Sequence, residues 1–505
     1  MPARSTAYYL LLKHTSQTVD SYCSFLDIHL LRTPPCYVQL ALHLVEGRRA
    51  TTGTYPSCLA LIRPANAAAQ LVLRTQAGRK EQRCCAASAP HSGKTQGARP
   101  SPPLLTSLAP TGKGLPRKDA EPAIWRRSMG MPAHFTLGVE EEFQIVDRQT
   151  GQLAPRVMTI LEKGASQFGE KIKPEMLQSA VEVVTDVCPN ITAARLELQN
   201  LHSMLLRLLE KEGLTLISAG THPASSWLDQ PPTPNERYAE LEEELQDVVR
   251  AILIFGLHVH VGVESNEIAI ALLNQLRTWI PHLLALSANS PFWCGRFTGL
   301  KSYRSIVWRP LPRNGVSEVF ATWSAYDAYV QSLIRAGCID NAKKIWWDIR
   351  PHPFFNTIEF RICDMPATLE DTIAIAALCQ ALVAKLTWLH KRGMATHVLP
   401  GYFIDENKWR VIRHGLDAEF IDFVQSCRLS MRDAIGELLD FVDDVLDDLG
   451  SRHEINYLRI LLDDPQGTGA DRQIAVYQRT GSIDAVTEFL VQQTIEGLPM
   501  NSSIR

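Results

Sequence analysis

The sequence predicts an α+β fold, an antiparallel sheet with helices packed mainly on one face. Three observations lead there. Short strand-like runs are separated by one or two helical stretches. Carboxylates stand inside several of those runs. The longest early helical stretch is apolar on one side only. The other face of the sheet would then be open for a site.

Taken in order, Phe135 to Val146 reads as a strand, turned by Asp147 to Gly151. Ser179 to Thr185 is a second strand, closed by Cys188-Pro189-Asn190. Ile191 to Glu212 is an amphipathic helix, with Leu196, Leu201, Leu205, Leu208 and Leu209 on its apolar side. Gly213 ends it before a short strand, Leu214 to Ala219. Glu236 to Arg250 reads as a charged helix feeding an apolar strand, Ile252 to Val263. Asn266 to Ser287 is expected to be helical with a kink at Pro281. A strand, Thr357 to Cys363, follows the turn-rich Arg350-Pro351-His352-Pro353. Thr368 to Lys391 is the best-marked helix, with Thr368 as cap and Glu370 and Asp371 in its first turn. From Asp417 to Leu498 the pattern is mostly helical, with a polar loop from Asp463 to Arg472.

The chain has 505 residues, with 51 Lys+Arg against 54 Asp+Glu and a net charge of −3. At 45% hydrophobic and 21% charged, it is long and apolar enough for a sizeable core and more than one folding unit. The near-neutral balance argues against a dedicated nucleic-acid binder. No run of unbroken apolar residues reaches the ~18–20 that a spanning helix needs, so a membrane-embedded protein is not expected. Tyr8 to Leu12 is too short for a signal-peptide core.

The average hides a seam. Residues 1–128 hold 17 Lys+Arg and 6 Asp+Glu, whereas residues 129–505 hold 34 and 48. The first segment also contains 12 of the 30 prolines and 5 of the 11 cysteines. Its charges are scattered, against a nucleic-acid tail, and no amphipathic helix marks an organelle-targeting segment. The expectation is a disordered basic extension without chemistry, with Met129 and Met131 marking an alternative start just ahead of the first clear strand. The remaining cysteines are widely spaced, with no CxxC pair, which fits a reducing, cytoplasmic setting without disulfides.

Chemistry concentrates after that seam. In Gly138-Val139-Glu140-Glu141-Glu142-Phe143 the two-residue period puts Glu140 and Glu142 on one face and Glu141 on the other. Like charges about 7 Å apart on one face repel, and a divalent cation would relieve them. Glu182 stands in an otherwise apolar strand, with Glu175 seven residues earlier. His258 and His260 share one strand face, as do Glu359 and Arg361. Any one of these is readable as a satisfied interior polar group. Several separated strands with the same habit point to a site. Mostly carboxylate oxygens with one or two imidazoles favour Mg²⁺ or Mn²⁺ over zinc. More than one such ion is a common way to anchor a nucleoside triphosphate, and no P-loop motif is present.

These segments, together with Glu182-Val183-Val184-Thr185, Ser287-Ala288-Asn289-Ser290-Pro291-Phe292 and Ile358-Glu359-Phe360-Arg361, resemble the glutamate–cysteine ligase type 2 family. The resemblance runs in order from about Phe135 to about Leu498 and leaves out residues 1–128. It implies a glutamine-synthetase-like curved antiparallel sheet, and an ATP-dependent carboxylate–amine ligase over residues 129–505. The implied reaction joins the γ-carboxylate of glutamate to the amine of cysteine through an acyl phosphate. The implied metal ligands are Glu140, Glu142, Glu175, Glu182, His258 and Glu359, with His260 less clearly placed.

Arg361 is the candidate for ATP phosphates, because a guanidinium matches phosphate oxygens in a bidentate way. Arg304 and Arg350 are candidates to hold a substrate carboxylate or to form a structural ion pair. Asn407, Trp409 and Arg410 resemble a family element, with Asn407 and Arg410 assigned to the nucleotide. The expected partners are ATP and amino acids, with no nucleic acid or membrane and a homo-oligomer allowed. Two other reactions fit the residues: a metal-dependent hydrolase built on the histidines and carboxylates, and a phosphotransferase of the same fold that forms no amide. Loss of the Glu359 charge is expected to disable the site while leaving the fold intact. The same change at Glu141 is expected to be far milder.

Overall fold

The computed structural model describes residues 135–496 and Leu498, together with the backbone of three short strands nearer the N-terminus. The chain divides into two units, Met1–Lys118 and Asp119–Arg505. In the first, Val38–Leu42, Cys58–Ile62 and Val72–Arg74 pair antiparallel in that order. The expectation of a disordered extension otherwise lies outside the described residues.

The second unit is built on seven antiparallel strands. These are β1 (Leu137–Asp147), β2 (Ile172–Pro174), β3 (Ala180–Val184), β4 (Leu214–Ile217), β5 (Leu257–Gly262), β6 (Ile349–Pro351) and β7 (Thr357–Phe360). They lie in the order β6-β7-β5-β1-β3-β2, and β4 pairs with the second half of β1. β1 is therefore central, and its burial alternates through Glu142 as a two-faced strand requires. Its odd-numbered residues Leu137, Val139, Phe143 and Ile145 enter the core.

Two helices cover that apolar face. The helix α1 (Ile191–Glu210) starts at Asn190, whose side chain accepts the Ala193 N–H at 2.9 Å. Leu198, Leu201, Leu205, Leu208 and Leu209 are buried, but Leu196 is exposed, since the inward stripe passes through Leu198 instead. The helix α2 (Leu369–His390) is capped by Thr368, whose hydroxyl accepts the Asp371 N–H at 3.2 Å. It corrects the hydropathy reading, being long and apolar enough by length and composition to cross a membrane. Its most apolar stretch is 83% buried inside the protein, so its hydropathy serves the core.

Between these helices and the sheet lies Glu141, fully buried. Its Oε2 is 2.5 Å from His202 Nε2 on α1, and its Oε1 accepts the Thr372 hydroxyl of α2 at 2.9 Å. The carboxylate opposite the site is thus an interior anchor and not a solvated group.

Three other elements differ from expectation. The charged helix stops at Leu245, because Gln246 takes φ 50°, and a short turn of helix follows over Asp247–Arg250. Pro281 does not kink a long helix; it sits in the first turn of a new one, Ile280–Ser287, where its missing N–H costs nothing. Asp417 onward includes a hairpin, Glu419–Asp422 with Cys427–Ser430, before the helices.

Candidate active site

Strand register assembles the site. Glu142 faces Glu182 across β1 and β3, and Lys173 of β2 faces Glu182 from the far side. On the other flank His258 faces Glu140, His260 faces Gly138, Glu359 faces His260, and Arg350 faces Glu359. One row of polar side chains therefore crosses six strands on the face opposite Glu141. It forms the floor of a cavity of about 440 Å³, walled by Tyr238, Leu241, Trp308 and Trp346 among others.

The row sorts into two groups of ligating atoms. Glu142, Glu175 and Glu182 each offer one oxygen within 4.8 Å of the others, and Glu140, His260 and Glu359 form a second such group. Their electrostatics differ. Burial, then the Glu142 charge, pushes the Glu175 carboxyl up to about 7. Burial, followed by Glu140 and Glu175, raises Glu182 well above the ordinary range. Burial also raises Glu142, although Arg304 and the Gly256 N–H, which it accepts at 2.5 Å, act against it. Lys173, 3.4 Å from Glu182, is the cation paired with this trio and does not offset its charge, and a hard divalent cation fits its all-oxygen donor set.

The second group already has cations. Burial alone would raise Glu359, but Arg350 and Arg361, then His260, hold it well below the ordinary range. Arg350 grips both oxygens, through Nε to Oε2 at 2.8 Å and Nη2 to Oε1 at 3.2 Å, and Arg361 Nη1 shares Oε1. Burial would likewise raise Glu140, yet hydrogen bonds from His258 and His260 win and hold it well below. Burial, with Arg361, lowers His258 to about 4, so that ring is neutral. It lies 3.2 Å from Glu140 and 3.7 Å from Glu142, between the groups.

Glu140, Glu142, Glu175, Glu182, His258, His260, Glu359, Arg304, Arg350 and Arg361 all line the one cavity. The arginines have different employment. Arg350 is committed to Glu359 and to the Lys343 carbonyl at 3.0 Å. Arg304 gives Nη1 to the Ile362 carbonyl and Nη2 to the Arg361 carbonyl, both at 3.1 Å. Arg361 keeps a buried Nε with no partner among the described residues. The Nε of Arg304 is likewise buried without a partner among the described residues, so both guanidinium groups have donor capacity left for a ligand.

Asn407 and Arg410 are not brought to this cavity. Both ends of the Asn407 amide bond the backbone of Ile421, at 2.9 Å each, and so pin the helix Gly401–His414 to the Glu419–Asp422 strand. Arg410 pairs with Glu406 and Glu419 at a separate surface groove that Trp409 also lines.

The segment Ser287 to Phe292 holds the scaffold behind the site. Buried Asp364 accepts the Ser290 hydroxyl at 2.6 Å, the Ser302 hydroxyl at 2.8 Å and the Asn289 N–H at 3.0 Å. Ser290 in turn accepts the Arg304 N–H at 3.0 Å. Serine, asparagine and aspartate thus fix the residue that clamps the chain bearing Arg361. Sequence reasoning missed Asp364, Lys173, Trp308 and His352. An isolated Asp after a strand gives no periodic signal, and Arg350-Pro351 reads as turn although it is strand.

The arrangement defines a class of protein: an α+β scaffold whose open sheet face concentrates carboxylates beside fixed guanidinium groups, suited to cations and an anionic ligand. The chain belongs to glutamate–cysteine ligase family 2, whose sequence profile matches residues 136–489. It is 48% identical over 365 residues to a Solibacter usitatus protein named "Putative glutamate–cysteine ligase 2", covering 72% of this chain and 94% of that one. A Sorangium cellulosum protein of the same name is 48% identical over 370 residues, covering 73% and 98%. Among solved structures, the glutamate–cysteine ligase of Francisella tularensis in complex with AMP aligns with a TM-score of 0.55 at 14% identity, covering 73% of this chain and 91% of that one. A bifunctional glutathione synthetase from Pasteurella multocida aligns at 0.54 with 15% identity, covering 72% and 52%. At those identities the likeness is one of fold.

Proposed function

We propose that residues 129–505 form an ATP-dependent carboxylate–amine ligase that joins the γ-carboxylate of L-glutamate to the amine of L-cysteine through an acyl phosphate. The sheet, in this reading, curves into the funnel that glutamine-synthetase-like ligases use. The observation that carries the proposal is the pair of adjoining ligand groups on one sheet face, one short of positive charge and one gripped by arginines. Family membership and the likeness to a ligase that binds AMP support it.

Glu142, Glu175 and Glu182 would hold one Mg²⁺ or Mn²⁺, and Glu140, His260 and Glu359 a second. Bound there, the ions would offset the charge of a triphosphate. The donor set fits. His260 takes the place that sequence reasoning gave His258, because its ring shares a group with Glu140 and Glu359. Arg361 would give its free Nε to a phosphoryl oxygen, while Arg304 fixes its backbone. Arg350 keeps Glu359 ionised and in place. His258, neutral, would spread hydrogen bonding between Glu140 and Glu142 without adding charge. No protein nucleophile is needed; alignment and electrostatic stabilisation supply the rate. We place the reaction in the cytoplasm, in keeping with six free cysteines among the described residues.

The test is ADP release by the full chain with Mg²⁺, ATP and a panel of amino acids and amines, with products read by mass spectrometry. A condensed dipeptide appearing with ADP is expected. Turnover without ATP would favour the hydrolase, and a stable phosphorylated product without a peptide would favour the phosphotransferase. ADP formation that no amine or amino acid stimulates would overturn the ligase.

A further inference from the structure

The hairpin loop between β6 and β7 lies at the edge of the sheet and carries two phenyl rings into solvent: Phe354 and Phe355 are each 62% exposed. They are tied to the site by a series of rings. His352, which lines the cavity, stacks on Phe355 with centroids 4.4 Å apart and planes 9° from parallel. It also meets His260 edge-on at 5.3 Å. His352 Nδ1 accepts the N–H of Phe355 at 3.0 Å and of Phe354 at 3.3 Å, which holds the turn. Lys343 Nζ lies 5.1 Å from the Phe354 centroid. Aromatic faces therefore run from a ligand group inside the cavity, through His352 on its wall, to the exposed loop, with the cavity-lining Lys343 alongside.

We propose that this edge is a stacking platform for the purine base of the nucleotide whose phosphates lie at Glu140, His260 and Glu359. The inference rests on the ATP-dependent reading above. A nucleoside triphosphate is extended, so phosphates held deep in the cavity send the base outward. A base has a π-face that stacks on any aromatic ring regardless of its hydrogen-bonding edge. Fixed in a turn by His352, the phenyl rings are ordered before binding, and little entropy is lost when a base covers them. Lys343, which also lines the cavity, adds positive charge for the phosphates of the ligand.

Calorimetric titration of the full chain with Mg·ATP and, separately, with magnesium tripolyphosphate tests the platform. The double variant Phe354→Ala/Phe355→Ala should bind ATP about tenfold more weakly and bind tripolyphosphate as the wild type does. Phe355→Trp should restore ATP affinity. Equal weakening toward both ligands would mean that the loop only shapes the phosphate site, and would overturn the platform. Unchanged ATP affinity in the double variant would also overturn it, including the case where the rings instead join two copies of the chain and the variant alters only the oligomeric state. If the wild type binds tripolyphosphate but not ATP, or neither, the ligase reading falls and the platform with it.

Discussion

Arg304 packs against the bare Cα of Gly256, so closely that a Cβ at this position would overlap its guanidinium. The same glycine gives its N–H to Glu142 at 2.5 Å. One residue without a side chain therefore sets a candidate metal ligand and the clamp on Arg361. Arg304 is only 2% exposed, so it cannot yield to a methyl group without breaking its bonds to the Arg361 and Ile362 carbonyls. Gly256→Ala should cost about 1–3 kcal/mol of stability and reduce ATP turnover more than tenfold. Thermal unfolding and initial rates of ADP release would show it, and wild-type rates would refute this role for the glycine.

Glu359 and Glu141 should separate function from folding. Glu359→Gln leaves Arg350 and Arg361 without their shared carboxylate, and breaking a buried pair costs about 3 kcal/mol. The expectation of an intact fold therefore carries a stability cost, because the residue is held by cations and not crowded by anions. Turnover should fall on the order of 10²-fold. Glu141→Gln disturbs the contact with His202 and should cost about 1–3 kcal/mol with turnover within a few-fold of wild type. Equal loss of activity in the two variants would contradict the division of the sheet into a working face and a core face.

Divalent cations should change how stability depends on pH. Glu142, Glu175 and Glu182 are raised in the folded protein, Glu175 to about 7. The native state therefore binds more protons than the unfolded chain between about 4.3 and that value. This contribution is complete below the unfolded carboxylate value and is lost as pH rises through the folded one. In EDTA the melting temperature should carry a destabilising component from pH 5 to 8. Mg²⁺ should remove it and, at 100 times its dissociation constant, add about 2.7 kcal/mol. Identical pH profiles with EDTA and with Mg²⁺ would eliminate the trio as a cation site.

Asn407 and Arg410 should behave as structural residues. Asn407→Ala removes two bonds to Ile421 and should cost about 2 kcal/mol, while Arg410→Ala, on a surface pair, should stay within about 1 kcal/mol. Neither should alter the apparent affinity for ATP by more than a few-fold. A large rise in the ATP requirement of Arg410→Ala would return the residue to the nucleotide site.

Glu140, Glu142, Glu182 and Glu359 were legible as a set because a strand exposes its faces through a two-residue period, which needs no partner to be read. That His260, and not His258, shares a group of ligating atoms with Glu140 and Glu359 was not legible, since it depends on what lies across the sheet. Gly138 stands opposite His260, whose ring groups with Glu140 and Glu359, while Glu140 itself stands opposite His258. The duties of Arg304 and Arg350 were equally hidden. A guanidinium awaiting a substrate and one bound to a neighbour look alike until the acceptors are known. Leu196 failed for a simpler reason: leucine-rich helices offer more apolar residues than one stripe can bury.

The central strand has a consequence for how the protein is made. The Phe135 carbonyl accepts from the Gln380 amide and the Glu141 carboxylate from the Thr372 hydroxyl, partners 245 and 231 residues further along the chain. At about 5–20 residues per second, β1 leaves the ribosome roughly 10–50 s before the helix that will cover it. During that interval only α1, made earlier, can cover the apolar face of the strand. The three consecutive glutamates that serve the finished site also keep this young segment charged, and so discourage nascent chains from pairing with one another.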